Sequence, residues 1–105
     1  LPRDGLRALR AVSQTGGRYI TVSDKSIIEG IARLGKEGLF VEPAASTAFV
    51  GLQKAVSEGF VDADDPVLVM LTGSGLKDVK SATMSVGPAP IIQPSLEAVK
   101  NALNL

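Results

Sequence analysis

The sequence predicts an α/β fold of three layers, with helices on both faces of a short, mostly parallel sheet. Segments with helical spacing alternate with short β-branched or apolar runs in the order α, β, α, β, α, β, α. Such alternation favours parallel βαβ units. The run Val67-Leu68-Val69-Met70-Leu71 is wholly apolar, as expected of a strand covered on both faces. The length of 105 residues suits a single domain, 1–105, with a modest core.

Each element has a local reason. Leu6, Leu9 and Val12 recur at near-helical spacing after Pro2 and Asp4, and Gly16-Gly17 stops that helix. Tyr19-Ile20-Thr21-Val22 reads as a short strand. Ser23 or Asp24 then caps a helix whose apolar face is Ile27, Ile28, Ile31 and Leu34, and Gly38 ends it. Gly30 and Gly35 weaken this helix, so close packing is expected beside them. Leu39-Phe40-Val41 is a brief strand. Glu42-Pro43 opens a third helix, because Pro at the first position lacks only an N–H that has no intrahelical partner. Its expected buried stripe is Ala45, Ala48, Phe49, Leu52 and Val56. Asp62, Asp64 and Asp65 form an acidic turn without the spacing or closing Glu of a calcium loop. The run 67–71 supplies the third strand, Lys77 to Met84 a further helix, and Gly87-Pro88-Ala89-Pro90 an irregular stretch. Ser95 caps a last helix carrying Leu96, Val99 and Leu103.

Composition removes several chemistries. There is no Cys, hence no disulfide and no thiolate metal site. There is no His, which removes the commonest general base, a Ser-His-Asp triad and the usual zinc ligands. Lys plus Arg and Asp plus Glu both number 11, so no net field draws nucleic acid or anionic lipid. Arg3, Arg7, Arg10 and Arg18 crowd the first segment as a solvated face or a phosphate-binding one. No apolar run reaches the ~20 residues of a membrane span, and a cytoplasmic protein is expected. A chain that starts at Leu1 rather than Met is expected to have been cut or processed.

In parallel sheets ligands gather at the carboxyl ends of strands. Three loops should therefore share one rim: Ser23-Asp24, Glu42-Pro43 and Thr72-Gly73-Ser74-Gly75. Gly73 and Gly75 suggest a phosphate cradle, yet neither the Walker nor the dinucleotide spacing is present. The small first turn Ala44-Ala45-Ser46-Thr47 suits either an anion at the helix start or tight packing. Thr72 and Glu42 either border a flat polar ring or simply end a strand and cap a helix; spacing leaves both open.

The stretches "VSDKSIIEGIARLGKEGLFVEPAASTAFVGL" and "LVMLTGSGLKD" resemble the C-terminal part of the threonine synthases, within the fold-type-II pyridoxal-phosphate (PLP) enzymes. The resemblance covers nearly the whole chain and is strongest in "VEPAAS" and "LTGSGLKD". It implies the C-terminal segment of a PLP enzyme's catalytic domain. It further implies that Thr72 hydrogen-bonds the pyridine nitrogen of PLP, that Glu42 lies near the ring, that Ala44 and Ala45 wall the pocket, and that Gly73 turns the chain close to the ring. Lys77 and Asp78 are expected to pair or cap after the turn. The implied reaction is that of a carbon–oxygen lyase in threonine biosynthesis, from O-phospho-L-homoserine and water to L-threonine and phosphate. The implied partners are a small-molecule substrate, the remainder of the same enzyme and a second copy in a homodimer.

The family's Schiff-base lysine, ring-stacking Asn and phosphate loop have no counterpart here. Lys25, Lys36, Lys54, Lys77, Lys80 and Lys100 all read as solvated surface residues. No catalytic residue is therefore assigned, and the chain alone should be inactive. Two alternatives stay open: a serine/threonine dehydratase segment, and a non-catalytic α/β module that binds a phosphometabolite or a partner chain without PLP.

Overall fold

A computed structural model describes residues 3–105. Five helices form: α1 (Gly5–Thr15), α2 (Asp24–Lys36), α3 (Pro43–Ser57), α4 (Val79–Val86) and α5 (Leu96–Leu103), with a 3₁₀ turn at Gly75–Lys77. Their ends follow the sequence closely. Gly16 adopts φ 67°, left-handed, and its N–H closes α1 on Val12. The Ser23 hydroxyl accepts the Ser26 amide at 3.1 Å, Asp78 accepts Ser81 at 3.0 Å, and Ser95 accepts Ala98 at 3.1 Å.

The expected sheet is not there. Among the described residues the single β pairing is one isolated antiparallel bridge, Val41 to Ser74. The three predicted strands, at 19–22, 39–41 and 67–71, have strand composition but lie in irregular chain. The reason is physical: a strand exists through hydrogen bonds to a neighbour, and among the described residues 19–22 and 67–71 pair with none while 39–41 has only the one bridge. Val67–Met70 instead lies at the surface, with Leu68 87 % exposed, and only Leu71 turns in against the core.

The core sits where α2 crosses α3. Ile31, Leu34, Val41 and Ala45 are buried together, with Ile28, Phe49 and Leu71 against them. A methyl group at Gly30 would come within 2.6 Å of Ser46 Oγ and Val50 Cγ2, so its absence lets the two helices touch. The fully buried Ser46 hydroxyl donates to the Ile27 carbonyl at 2.7 Å across the same crossing. Gly35, in contrast, faces open space. The buried face of α3 is Ala45, Ser46, Val50 and Ala55: of the expected stripe Ala45 is buried and Phe49 packs against the core, while Ala48 and Val56 are exposed. Close approach selected its smallest residues, and Val56 turned outward.

The outer elements are loosely held. α1, α4 and α5 bury no residue fully, although α4 packs on α2. Leu6 on α1 is 76 % exposed. The radius of gyration is 17.9 Å, against about 13 Å for a compact domain of this length.

Candidate functional site

The site is built where the turn after Leu71 folds against the segment that enters α3. The Glu42 amide donates to the Gly73 carbonyl at 3.0 Å, and the Gly75 amide donates to the Phe40 carbonyl at 3.1 Å. These two bonds hold "LTGSG" against "FVE", and Glu42 enters α3 with extended backbone, φ −77° and ψ 163°.

Both glycines are needed for this contact. A Cβ on Gly73 would overlap the Glu42 carboxyl group, and a Cβ on Gly75 would overlap the Phe40 ring. The phosphate-cradle reading of this pair is therefore corrected. A cradle needs free, convergent N–H groups, whereas the Gly75 amide is already bonded and its Cα is covered by Phe40.

Glu42 occupies the N-cap position of α3, and its carbonyl accepts the Ser46 amide at 3.0 Å, but its side chain accepts no backbone N–H at the helix start. Its Oε1 instead accepts Lys77 Nζ at 2.8 Å. The Glu42 side chain is 14 % exposed and that of Lys77 63 %. Asp78 holds the next corner. The Ser81 backbone amide and then the Ser81 hydroxyl bind its carboxylate, which lowers its pKa from the ordinary 3.8.

Thr72 and Gly73 line an open cleft of about 330 Å³ together with Gly38–Val41, Leu71 and Ser74. Thr72 is exposed there. Glu42 lies behind Gly73, and Ala44 is exposed on the first turn of α3, outside the cleft. Two of the three expected loops thus meet. The third, Ser23-Asp24, lies elsewhere: Ser23 lines a different cleft with Arg33, Gln53 and Lys54. It sits beside the C-terminal half of α3, where Lys54 Nζ reaches the Thr21 carbonyl at 2.8 Å, while Glu42 sits at the start of that ~22 Å helix.

Other polar residues are accounted for elsewhere. Asp65 accepts the Asp62 amide at 2.8 Å in the acidic turn. Arg18 leaves the N-terminal arginines and stacks over Phe60 at 3.8 Å. Lys54 is half-buried rather than solvated. Sequence reasoning missed Phe40 and Gly75 as a packed pair, and no local signal marks them. It expected a partner for Lys77 without finding Glu42, which lies 35 positions away.

Whether this cleft suits a PLP ring can be tested on its own atoms. A flat ring needs one open face and a hydrogen-bonding group at its nitrogen edge. Thr72 offers an exposed neutral hydroxyl beside small backbone at Gly73, which fits that edge. The lining contains no lysine, so the cleft matches one wall of such a pocket and no more.

Comparison with known proteins points the same way. A family model described as pyridoxal-phosphate dependent enzyme matches residues 1–73. Threonine synthase of Methanocaldococcus jannaschii is 35 % identical over 103 residues, covering 97 % of this chain and 25 % of that protein. Threonine synthase of Mycobacterium tuberculosis is 38 % identical over 96 residues, covering 86 % and 26 %. That of Halalkalibacterium halodurans is 32 % identical over 97 residues, covering 91 % and 27 %. The chain spans about a quarter of the length of these relatives.

Proposed function

The chain belongs to the pyridoxal-phosphate-dependent enzyme family, and from that membership we propose that it forms one wall of the PLP pocket in a threonine synthase. The observation that carries this is the pairing of "VEPAAS" with "LTGSGLKD" in space, through Glu42 to Gly73 and Phe40 to Gly75, which leaves Thr72 facing an open cleft. Identities of 35 % and 38 % to threonine synthases support the narrower assignment.

Thr72 would hold the cofactor's ring nitrogen through its hydroxyl. Gly73 would allow the chain to pass close to the ring, with Glu42 and Ala44 behind and beside it. A hydroxyl at that edge stays neutral at physiological pH, so it orients the ring without supplying a full charge. PLP, when bound, supplies the electron sink for carbon–oxygen bond chemistry, and the protein supplies orientation and electrostatics.

In this reading the reactive amine and phosphate site come from the rest of the enzyme, and residues 1–105 alone are inactive. The intact protein works as a homodimer in the cytoplasm, converting O-phospho-L-homoserine and water to L-threonine and phosphate. Among the described residues no helix is long and apolar enough to cross a membrane.

The test is a product assay on the complete protein with PLP. Phosphate and threonine in equal amounts from O-phospho-L-homoserine are expected. Conversion of threonine to a 2-oxo acid, with no reaction on the phosphorylated substrate, would assign a dehydratase instead. No PLP-dependent reaction at all would contradict the proposal.

A further inference from the structure

We infer that Lys77 is a positioning residue for the cofactor wall, acting through Glu42 on the Thr72-Gly73 backbone. The inference rests on the proposal that Thr72 meets the ring. The geometry is a three-part clamp. Glu42 holds Gly73 twice: its amide donates to the Gly73 carbonyl at 3.0 Å, and its carboxyl group lies against the Gly73 Cα. Lys77 Nζ then fixes that carboxylate at 2.8 Å. Between Gly73 and Lys77 the chain has little slack. Ser74 bridges to Val41, its hydroxyl accepts the Leu76 amide at 3.3 Å, and Gly75 is packed under Phe40.

The two ends of the pair are unequal. Glu42 is 14 % exposed and Lys77 63 %. An ion pair this open at one end adds little to folding stability. The mostly covered carboxylate, however, needs its cation. Without it Glu42 is left as a poorly solvated charge, and it relaxes by moving off Gly73 towards water. Because the carboxyl group touches the Gly73 Cα, that movement shifts the residue next to Thr72. Lys77 therefore governs where the Thr72 hydroxyl sits more than whether the protein folds. This gives a chemical role to the "LKD" that follows the glycine turn: Lys77 fixes Glu42, and Asp78 starts α4.

The experiment compares wild type, K77M, K77R and T72V in the complete protein. The readouts are the dissociation constant of PLP, the absorption spectrum of bound PLP, and the melting temperature of the cofactor-free protein. K77M is expected to weaken PLP binding by about three- to tenfold, the size of losing one ordinary hydrogen bond. It should also change the spectrum, with melting shifted by no more than about 2 °C. K77R keeps a donor for Glu42 and should stay near wild type. Unchanged affinity and spectrum in K77M, with both altered in T72V, would overturn the inference and leave the pocket assignment standing. If T72V alters neither, the pocket assignment itself fails and the inference with it. A PLP defect that only tracks a large drop in melting temperature would make Lys77 merely structural. Should K77M not fold, K77Q is judged by the same readouts.

Discussion

At the residue scale, Gly75 and Phe40 show what the sequence conceals. Ser23, Asp78 and Ser95 are legible as caps because the signal is local, a short polar side chain three residues before the amide it accepts. Phe40 over Gly75 is a contact 35 positions apart, and neither residue announces the other. Replacing Gly75 by alanine puts a methyl group into the Phe40 ring. A loss of about 1–3 kcal/mol is expected, read by denaturant unfolding of the complete protein. Asp78 carries a pH prediction. Its folded pKa is lowered below 3.8, chiefly by the Ser81 backbone amide and then by the Ser81 hydroxyl. Its contribution is thus fully present above the ordinary Asp pKa and is lost as pH falls through the lowered folded value. Exchange of the Ser81 amide should accelerate over that acid window in wild type, and D78N should flatten the dependence.

At the scale of elements, the helices were readable and the strands were not. Helical hydrogen bonds lie within the segment, so spacing and caps suffice to place α2 and α3. Strand bonds lie between segments, so 19–22 and 67–71 show composition without pairing. The face of α3 was placed only in part, at Ala45 and Phe49, because bulk apolar residues were weighed more than the close approach allowed by Gly30. That crossing is testable. G30A gains about 1 kcal/mol of helix propensity, but its methyl group meets Ser46 Oγ and Val50 Cγ2. Overpacking costs about 1–3 kcal/mol, so a net loss is expected in thermal unfolding. A gain in stability would show that α2 and α3 separate without penalty. S23A should cost about 1 kcal/mol through the lost α2 cap.

At the scale of the whole molecule, a radius of gyration of 17.9 Å and the outward Leu6, Leu68, Ile91 and Leu105 describe surfaces that a compact domain would bury. The chain spans about a quarter of the length of its relatives, and in the proposed function those surfaces are covered by the rest of the enzyme. Residues 1–105 expressed alone should bind a hydrophobic dye and self-associate; a dye-silent monomer would favour the free-standing module. The candidate site was legible only in part for the same reason. Thr72 and Gly73 lie on the cleft and Glu42 braces them, but the opposite wall is not built from these residues. The central claim is that Thr72 holds the cofactor ring, and turnover by T72V in the complete, PLP-loaded protein tests it most directly. With the melting temperature preserved, phosphate release from O-phospho-L-homoserine should fall by about a hundredfold, the scale of losing one aimed hydrogen-bond donor. Near-normal turnover would contradict the account.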